Sequence, residues 1–158
     1  MKVQLIVVGR VRGALAEVIH DYEARLQHYF RFDVVEVEAG AGGRADPAAV
    51  MQAEAERIEA RLDAGTEVVV LDRRGKEWSS RQLAAYFEER ALHGLGPVAL
   101  VIGGAWGLPD EFRKRAIRRW SLGAMTLPHE LARLIVTEQL YRAGTILRNE
   151  PYHKGDDA

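Results

Sequence analysis

The apolar positions change period from segment to segment, and that alternation predicts the elements. Lys2–Val8 is almost unbroken in apolar residues and predicts a strand buried on both faces. Leu15, Val18, Ile19, Tyr22 and Leu26 then recur at helical spacing, so Gly13–Phe30 is predicted helical. Asp33–Glu38 alternates and is rich in valine, which predicts a second strand. Gly40, Gly42 and Gly43 predict a mobile loop over Ala39–Ala45. Asp46 before Pro47 marks a helix start, with the helix reaching about Asp63 and Gly65 ending it.

Glu67–Leu71 is a third, continuously apolar strand, closed by Asp72. Ser79 or Ser80 caps a helix to about His93. Pro97–Ile102 is a fourth strand, followed by Gly103 and Gly104. Pro109–Arg119 reads as a short basic helix, Trp120–Leu127 as a strand interrupted by Gly123, and Pro128–Arg148 as a long last helix. Asn149–Ala158 is a polar tail.

Short apolar strands alternating with helices predict an α/β fold: one domain over residues 1–158, a mostly parallel sheet with helices on both faces. Such sheets bind ligands beyond the carboxyl ends of their strands. The segments to examine are those after Leu71, after Ile102 and around Leu122–Leu127.

Composition narrows the chemistry. A chain of 158 residues buries roughly two thirds of its unfolded surface, enough for a core without staples. With no cysteine, disulfides, thiolate catalysis and Cys-based metal sites are excluded. The opening apolar run is too short for a signal peptide, and no stretch approaches the ~20 residues of a membrane span, so a soluble cytoplasmic protein is expected. Net charge is −1, but its distribution is uneven. Nine acids face three arginines between Asp33 and Glu67, whereas eight bases face four acids between Leu100 and Arg148. That asymmetry suits a local anion-binding face, although solvated helix faces would produce it equally well.

Several familiar motifs are missing. There is no P-loop, no GxGxxG after the first strand and no GxSxG. His129-Glu130 begins like a zinc-binding HExxH, but Arg133 stands where the second histidine belongs, so no metal site is expected. Two glycine-bearing segments remain. Gly103, Gly104 and Gly107 follow a buried strand, where they either admit a ligand close to backbone or merely make a tight turn. Trp120–His129 either lines a flat slot suited to an adenine ring or is a core strand with a bulge. On the last helix Glu138 and Arg142 stand at i,i+4, with Arg133 and Arg148 on the same helix. The tail carries Tyr152, His153 and Lys154.

Taken together, these segments resemble the ribosomal RNA large-subunit methyltransferase H family, a minimal member of the SPOUT class. The carrying motifs are Lys2–Gly9, Val69–Asp72, Leu100–Gly104 with Gly107 and Leu108, Ser121 and Leu122, Met125–His129, Glu138–Ala143 and Pro151–His153. They run from Met1 to Lys154, and their order and spacing carry the specificity. The resemblance implies a C-terminal trefoil knot, which periodicity does not predict and which is very rare among folds. It implies a homodimer, S-adenosylmethionine as methyl donor, and N3 of a pseudouridine in large-subunit rRNA on the assembled ribosome as target. By position it implies cofactor contacts at Leu71, Gly103, Leu122, Gly123, Ala124, Met125, Thr126 and Leu127. It also implies a substrate role for Tyr152 and His153 in the tail.

The expected chemistry follows. The donor is already activated, so the enzyme mainly aligns methyl carbon and nitrogen. The N3 proton must leave, and His153 is the first candidate base, since histidine ordinarily titrates near neutrality. Glu138 is the second, and Arg142 either binds phosphate or steadies charge on the uracil oxygens. Arg133, Arg148 and Lys154 are the expected RNA contacts. Two rival readings stay open: a ribosome-binding protein without catalysis, relying on Arg113–Arg119, and a small-molecule α/β enzyme using the same loops.

Overall fold

A computed structural model describes residues 1–43 and 46–154, without the His153 side chain. Five strands form one parallel sheet: β1 (Lys2–Val8), β2 (Arg31–Val37), β3 (Glu67–Glu77), β4 (Val98–Ile102) and β5 (Arg118–Ser121), in the order β2-β1-β4-β3-β5. The period of two sorts each strand between two cores. In β4, Val98, Leu100 and Ile102 face one core while Ala99 and Val101 face the other. All five are buried, which is why the run reads as unbroken apolar sequence. At the sheet edge β2 instead alternates, with Phe32, Val35 and Val37 buried and Arg31, Asp33 and Glu36 exposed.

Helices cover both faces. α1 (Ala14–Leu26), α3 (Ser80–Leu92) and α5 (His129–Leu147) close one core through Leu26, Phe87, Val136 and Leu140. α2 (Pro47–Glu59) and α4 (Asp110–Arg115) close the other through Ile58 and Phe112. Each fully buried Leu or Phe stabilises the fold by about 1.5–3 kcal/mol over an exposed one. The caps follow the sequence. Asp46 accepts from the Ala49 amide at 2.7 Å, and Ser79 forms a reciprocal capping box with Gln82.

Some boundaries differ from the expectation. α1 ends at Leu26 and gives way to turns, and α2 ends at Glu59. β3 does not stop at Asp72 but runs to Glu77, because its register against β5 shifts between Leu71 and Lys76 and then resumes. The expected helix to Arg119 ends at Arg115. Ala116 turns extended, and burial of Trp120 draws Arg118–Ser121 into the sheet edge. The strand does not continue through Gly123, whose φ of 127° breaks it, and Leu122–Leu127 forms a loop. Within the expected loop 39–45, Arg44 and Ala45 lie outside the described residues, and Gly40 is tied to α2 through its amide on Glu54 at 2.7 Å.

Candidate methyl-donor cleft and the tail

The bulged middle of β3 and the ends of β4 and β5 meet at one cleft of about 950 Å³. Leu71 enters it from β3, Gly103 and Trp106 from the loop after β4, and Leu122, Gly123, Met125, Thr126 and Leu127 from the loop after β5. The structure thus brings together at one place every expected cofactor residue except Ala124, which is exposed and does not line the cleft. Its wall mixes apolar side chains with loop backbone, a combination suited to holding a nucleoside by its flat face and its edge.

The glycine turn is tight for reasons internal to the protein. The Gly107 amide donates to the Gly104 carbonyl at 3.0 Å. A Cβ on Gly103 would lie 3.0 Å from Leu108 Cγ and 3.1 Å from the Gly107 backbone. A side chain there would therefore push the turn out of place. Trp120 also lines the cleft, stacked on Trp78 with ring centroids 5.7 Å apart. Pro128 and His129, at the start of α5, close the side nearest β1, and His129 is half-buried with Nε2 4.0 Å from Glu130. Sequence reasoning did not single out Arg74 or Arg113 as cleft residues, and no local signal marked them; Asp72 directly follows Leu71, where the strand-end rule pointed, and His129 closes the flagged segment Trp120–His129.

The expected catalytic residues of the tail and α5 assemble elsewhere. Glu138 Oε1 accepts from Arg142 at 2.8 Å and from the Tyr152 hydroxyl at 3.1 Å, while Oε2 accepts from Gln139 at 2.7 Å. Tyr152 also meets the Tyr22 hydroxyl at 3.2 Å and packs edge-on against Tyr141. Burial pushes the Tyr152 hydroxyl above the ordinary tyrosine range, and its contacts with Tyr22 and Glu138 push it further. It is a proton donor, not a base. Glu138, accepting at both oxygens, holds Tyr152 and Arg142 in place. His153 lies in the 3-10 turn Pro151–His153, but its side chain is outside the described residues. Glu138 is nine residues along α5 from the cleft-lining His129, or about 14 Å at 1.5 Å per residue.

Arg133 corrects an expectation. It does not face solvent as an RNA contact but is buried, its side chain 3% exposed, between Glu23 and Glu36 at 2.8 Å each. Both its forks are spent on carboxylates from α1 and β2. Arg148 is exposed, donating to the His28 carbonyl and lying over the Tyr29 ring, and Lys154 is exposed as well. Among the described residues no group of three His, Asp or Glu side chains is placed to hold a metal ion. Nor is any helix long and apolar enough to cross a membrane.

The fold has a counterpart among solved structures, and the sequence has relatives among known proteins. Residues 1–153 match the family model described as predicted SPOUT methyltransferase. The crystal structure of a probable methyltransferase from Bordetella pertussis Tohama I shares the fold with a TM-score of 0.55 at 20% identity, covering 90% of this chain and 95% of that one. The ribosomal RNA large subunit methyltransferase H of Gemmatimonas aurantiaca is 50% identical, over 98% of this chain and all of the relative. That of Syntrophotalea carbinolica is 45% identical over 97% and 99%. The chain belongs to the SPOUT methyltransferases, and within them to the ribosomal RNA large subunit methyltransferase H family.

Proposed function

We propose that this protein transfers a methyl group from S-adenosylmethionine to N3 of a pseudouridine in large-subunit rRNA, on the assembled ribosome. The observation that carries the reading is the cleft formed by Leu71, the Gly103 turn and Leu122–Leu127, in a chain half identical to a relative named ribosomal RNA large subunit methyltransferase H. The cleft fits the donor. Its volume of about 950 Å³ is ample for a nucleoside with a short side chain, and the turn that walls it is held in shape by Gly103, whose Cβ would collide with Leu108 and Gly107.

When bound, the donor supplies a methyl carbon already activated by its sulfonium. The protein's task is to hold that carbon in line with the nucleophile, to exclude water and to relieve N3 of its proton. Leu71 and Leu122–Leu127 would grip the donor's nucleoside. Tyr152, kept protonated, would exchange its hydrogen bond to Glu138 for one to a uracil oxygen, where negative charge develops as N3 loses its proton. Glu138 and Arg142 would orient Tyr152, and His153 is the candidate base.

The separation between cleft and tail supports a homodimer in which each tail serves the partner's cleft. Leu131 and Ile135 on α5 and the cleft-lining Met125 expose 38%, 37% and 79% of their surface, apolar area that a partner subunit would cover. The C-terminal trefoil knot belongs to the same proposal, as does action in the cytoplasm, where ribosomes work.

Mixed dimers test the arrangement. A subunit lacking residues 149–158 is combined with a Gly103→Val subunit, each inactive as its own homodimer. Activity restored in the mixture supports a shared site, because one of the two sites is then intact. A mixture as inactive as its parents, with mixed dimers shown to form, overturns it.

A further inference from the structure

Beside the cleft lies a smaller recess of about 270 Å³, lined by Arg74, Asp110, Arg113, Lys114 and Arg119. Three elements converge on it: the irregular stretch of β3 brings Arg74, α4 brings Arg113 and Lys114, and β5 brings Arg119. The convergence is built into the backbone. A Cβ on Gly75 would lie 2.4 Å from the Arg119 carbonyl oxygen, so only glycine lets the β3 bulge lie down on β5. Ser121 Oγ pins the same bulge by donating to the Arg73 carbonyl at 3.0 Å.

Beneath the arginines is Asp72, whose side chain is 4% exposed. Arg74, Arg119 and Arg113 approach it at 3.6, 3.8 and 3.9 Å, beyond hydrogen-bond length, and its Oδ2 has no hydrogen bond among the described residues. Asp72 thus gathers the guanidinium groups by charge without consuming their N–H donors. Asp110 pairs with Arg113. Four cations against these two carboxylates leave a surplus of two positive charges at the recess.

We propose that this recess binds a backbone phosphate of the RNA whose target base enters the cleft, an inference that rests on the rRNA reading above. Arg74 and Arg113 line both cavities, so a phosphate here and a base there fit one short stretch of strand. Arginine forks match the paired oxygens of a phosphodiester. Arg74 and Arg119 keep about half of their side-chain surface in solvent, 57% and 47%, and are open to such a ligand. The donor's methionine carboxylate offers the same paired-oxygen chemistry, and the experiment separates the two sources.

The test removes charge at two residues outside the cleft, Lys114→Gln with Arg119→Gln, and keeps it in a Lys114→Arg, Arg119→Lys control. Binding of isolated large ribosomal subunits is measured over a range of salt, and S-adenosylmethionine binding by calorimetry. The expected result is about tenfold weaker subunit binding and a log–log salt slope shallower by up to about 0.7–0.9, from the loss of one phosphate contact. Donor affinity stays unchanged, and the control behaves as wild type. Should the double variant fail to fold, Lys114→Gln alone reads half that change in slope. An unchanged slope and affinity overturn the proposal, and weakened donor binding with the slope intact assigns the recess to the donor carboxylate. Wild-type protein that binds subunits but transfers no methyl group sinks the enzymatic reading, while the slope still decides the recess.

Discussion

The Tyr152 hydroxyl donates a 3.1 Å hydrogen bond to Glu138 Oε1, and so the turn after α5 folds back onto the helix it follows. Because the hydroxyl is held protonated, Tyr152→Phe removes a donor and nothing that titrates near neutrality. The expected loss in kcat is about tenfold to a hundredfold, of the size that one charge-stabilising donor supplies. The same factor should hold from pH 6 to pH 9. The cost in stability should stay near 1 kcal/mol, that of a single hydrogen bond. Rate profiles and thermal melts of the two proteins check both statements. A loss that grew or vanished across this range would assign Tyr152 a titrating role.

Arg133 and Arg148 lie on or just beyond one helix and should respond by very different amounts. Arg133→Ala strands Glu23 and Glu36 and should destabilise the fold by about 3 kcal/mol, as breaking a buried pair does. Arg148→Ala removes an exposed side chain and should change stability by about 0.5 kcal/mol or less. Denaturant titrations of the two variants measure both. Equal, small effects would contradict the burial of Arg133.

Much of the architecture was legible because burial on both faces leaves an unmistakable run of apolar residues, as in β1 and β4. The caps at Asp46 and Ser79 were legible because they are local chemistry. The β3 bulge was not, since Asp72–Lys76 has no periodicity and its course depends on Gly75 meeting Arg119 more than forty positions later. The burial of Arg133 was equally hidden. Its partners are 110 and 97 residues away, and helical spacing alone reads such an arginine as exposed. The cleft was found by the rule that ligands gather at strand ends, and only its basic edge escaped it.

Gly103→Val probes the turn itself. The added side chain meets Leu108 and the Gly107 backbone, so the turn must move and the fold should lose about 1–3 kcal/mol. Calorimetric affinity for S-adenosylmethionine should fall at least about tenfold, which one pocket-wall displacement costing 1.4 kcal/mol produces. Unaltered affinity in a folded variant would remove the turn from the donor site.

Three tyrosines couple folding to alkaline pH. Burial is the largest cause that raises the hydroxyls of Tyr29, Tyr86 and Tyr152, and hydrogen bonds to Glu150, Glu67 and Tyr22 reinforce it. The unfolded chain releases these protons near pH 10 and the folded chain only above that. Above pH 10 the unfolded state therefore holds fewer protons, and stability falls as pH rises. Below pH 10 the contribution is fully present. Denaturation midpoints from pH 8 to pH 11.5 should be level at first and decline past pH 10, with a shallower decline in Tyr86→Phe. A level curve throughout would contradict the raised values.

Transfer from methyl-labelled S-adenosylmethionine is measured on ribosomes that lack the modification, with naked rRNA alongside. A pseudouridine N3-methyltransferase places label at N3 of a single large-subunit pseudouridine on ribosomes, little on naked rRNA, and none with Gly103→Val. Label elsewhere, or no transfer by a folded protein that binds the donor, would contradict that activity.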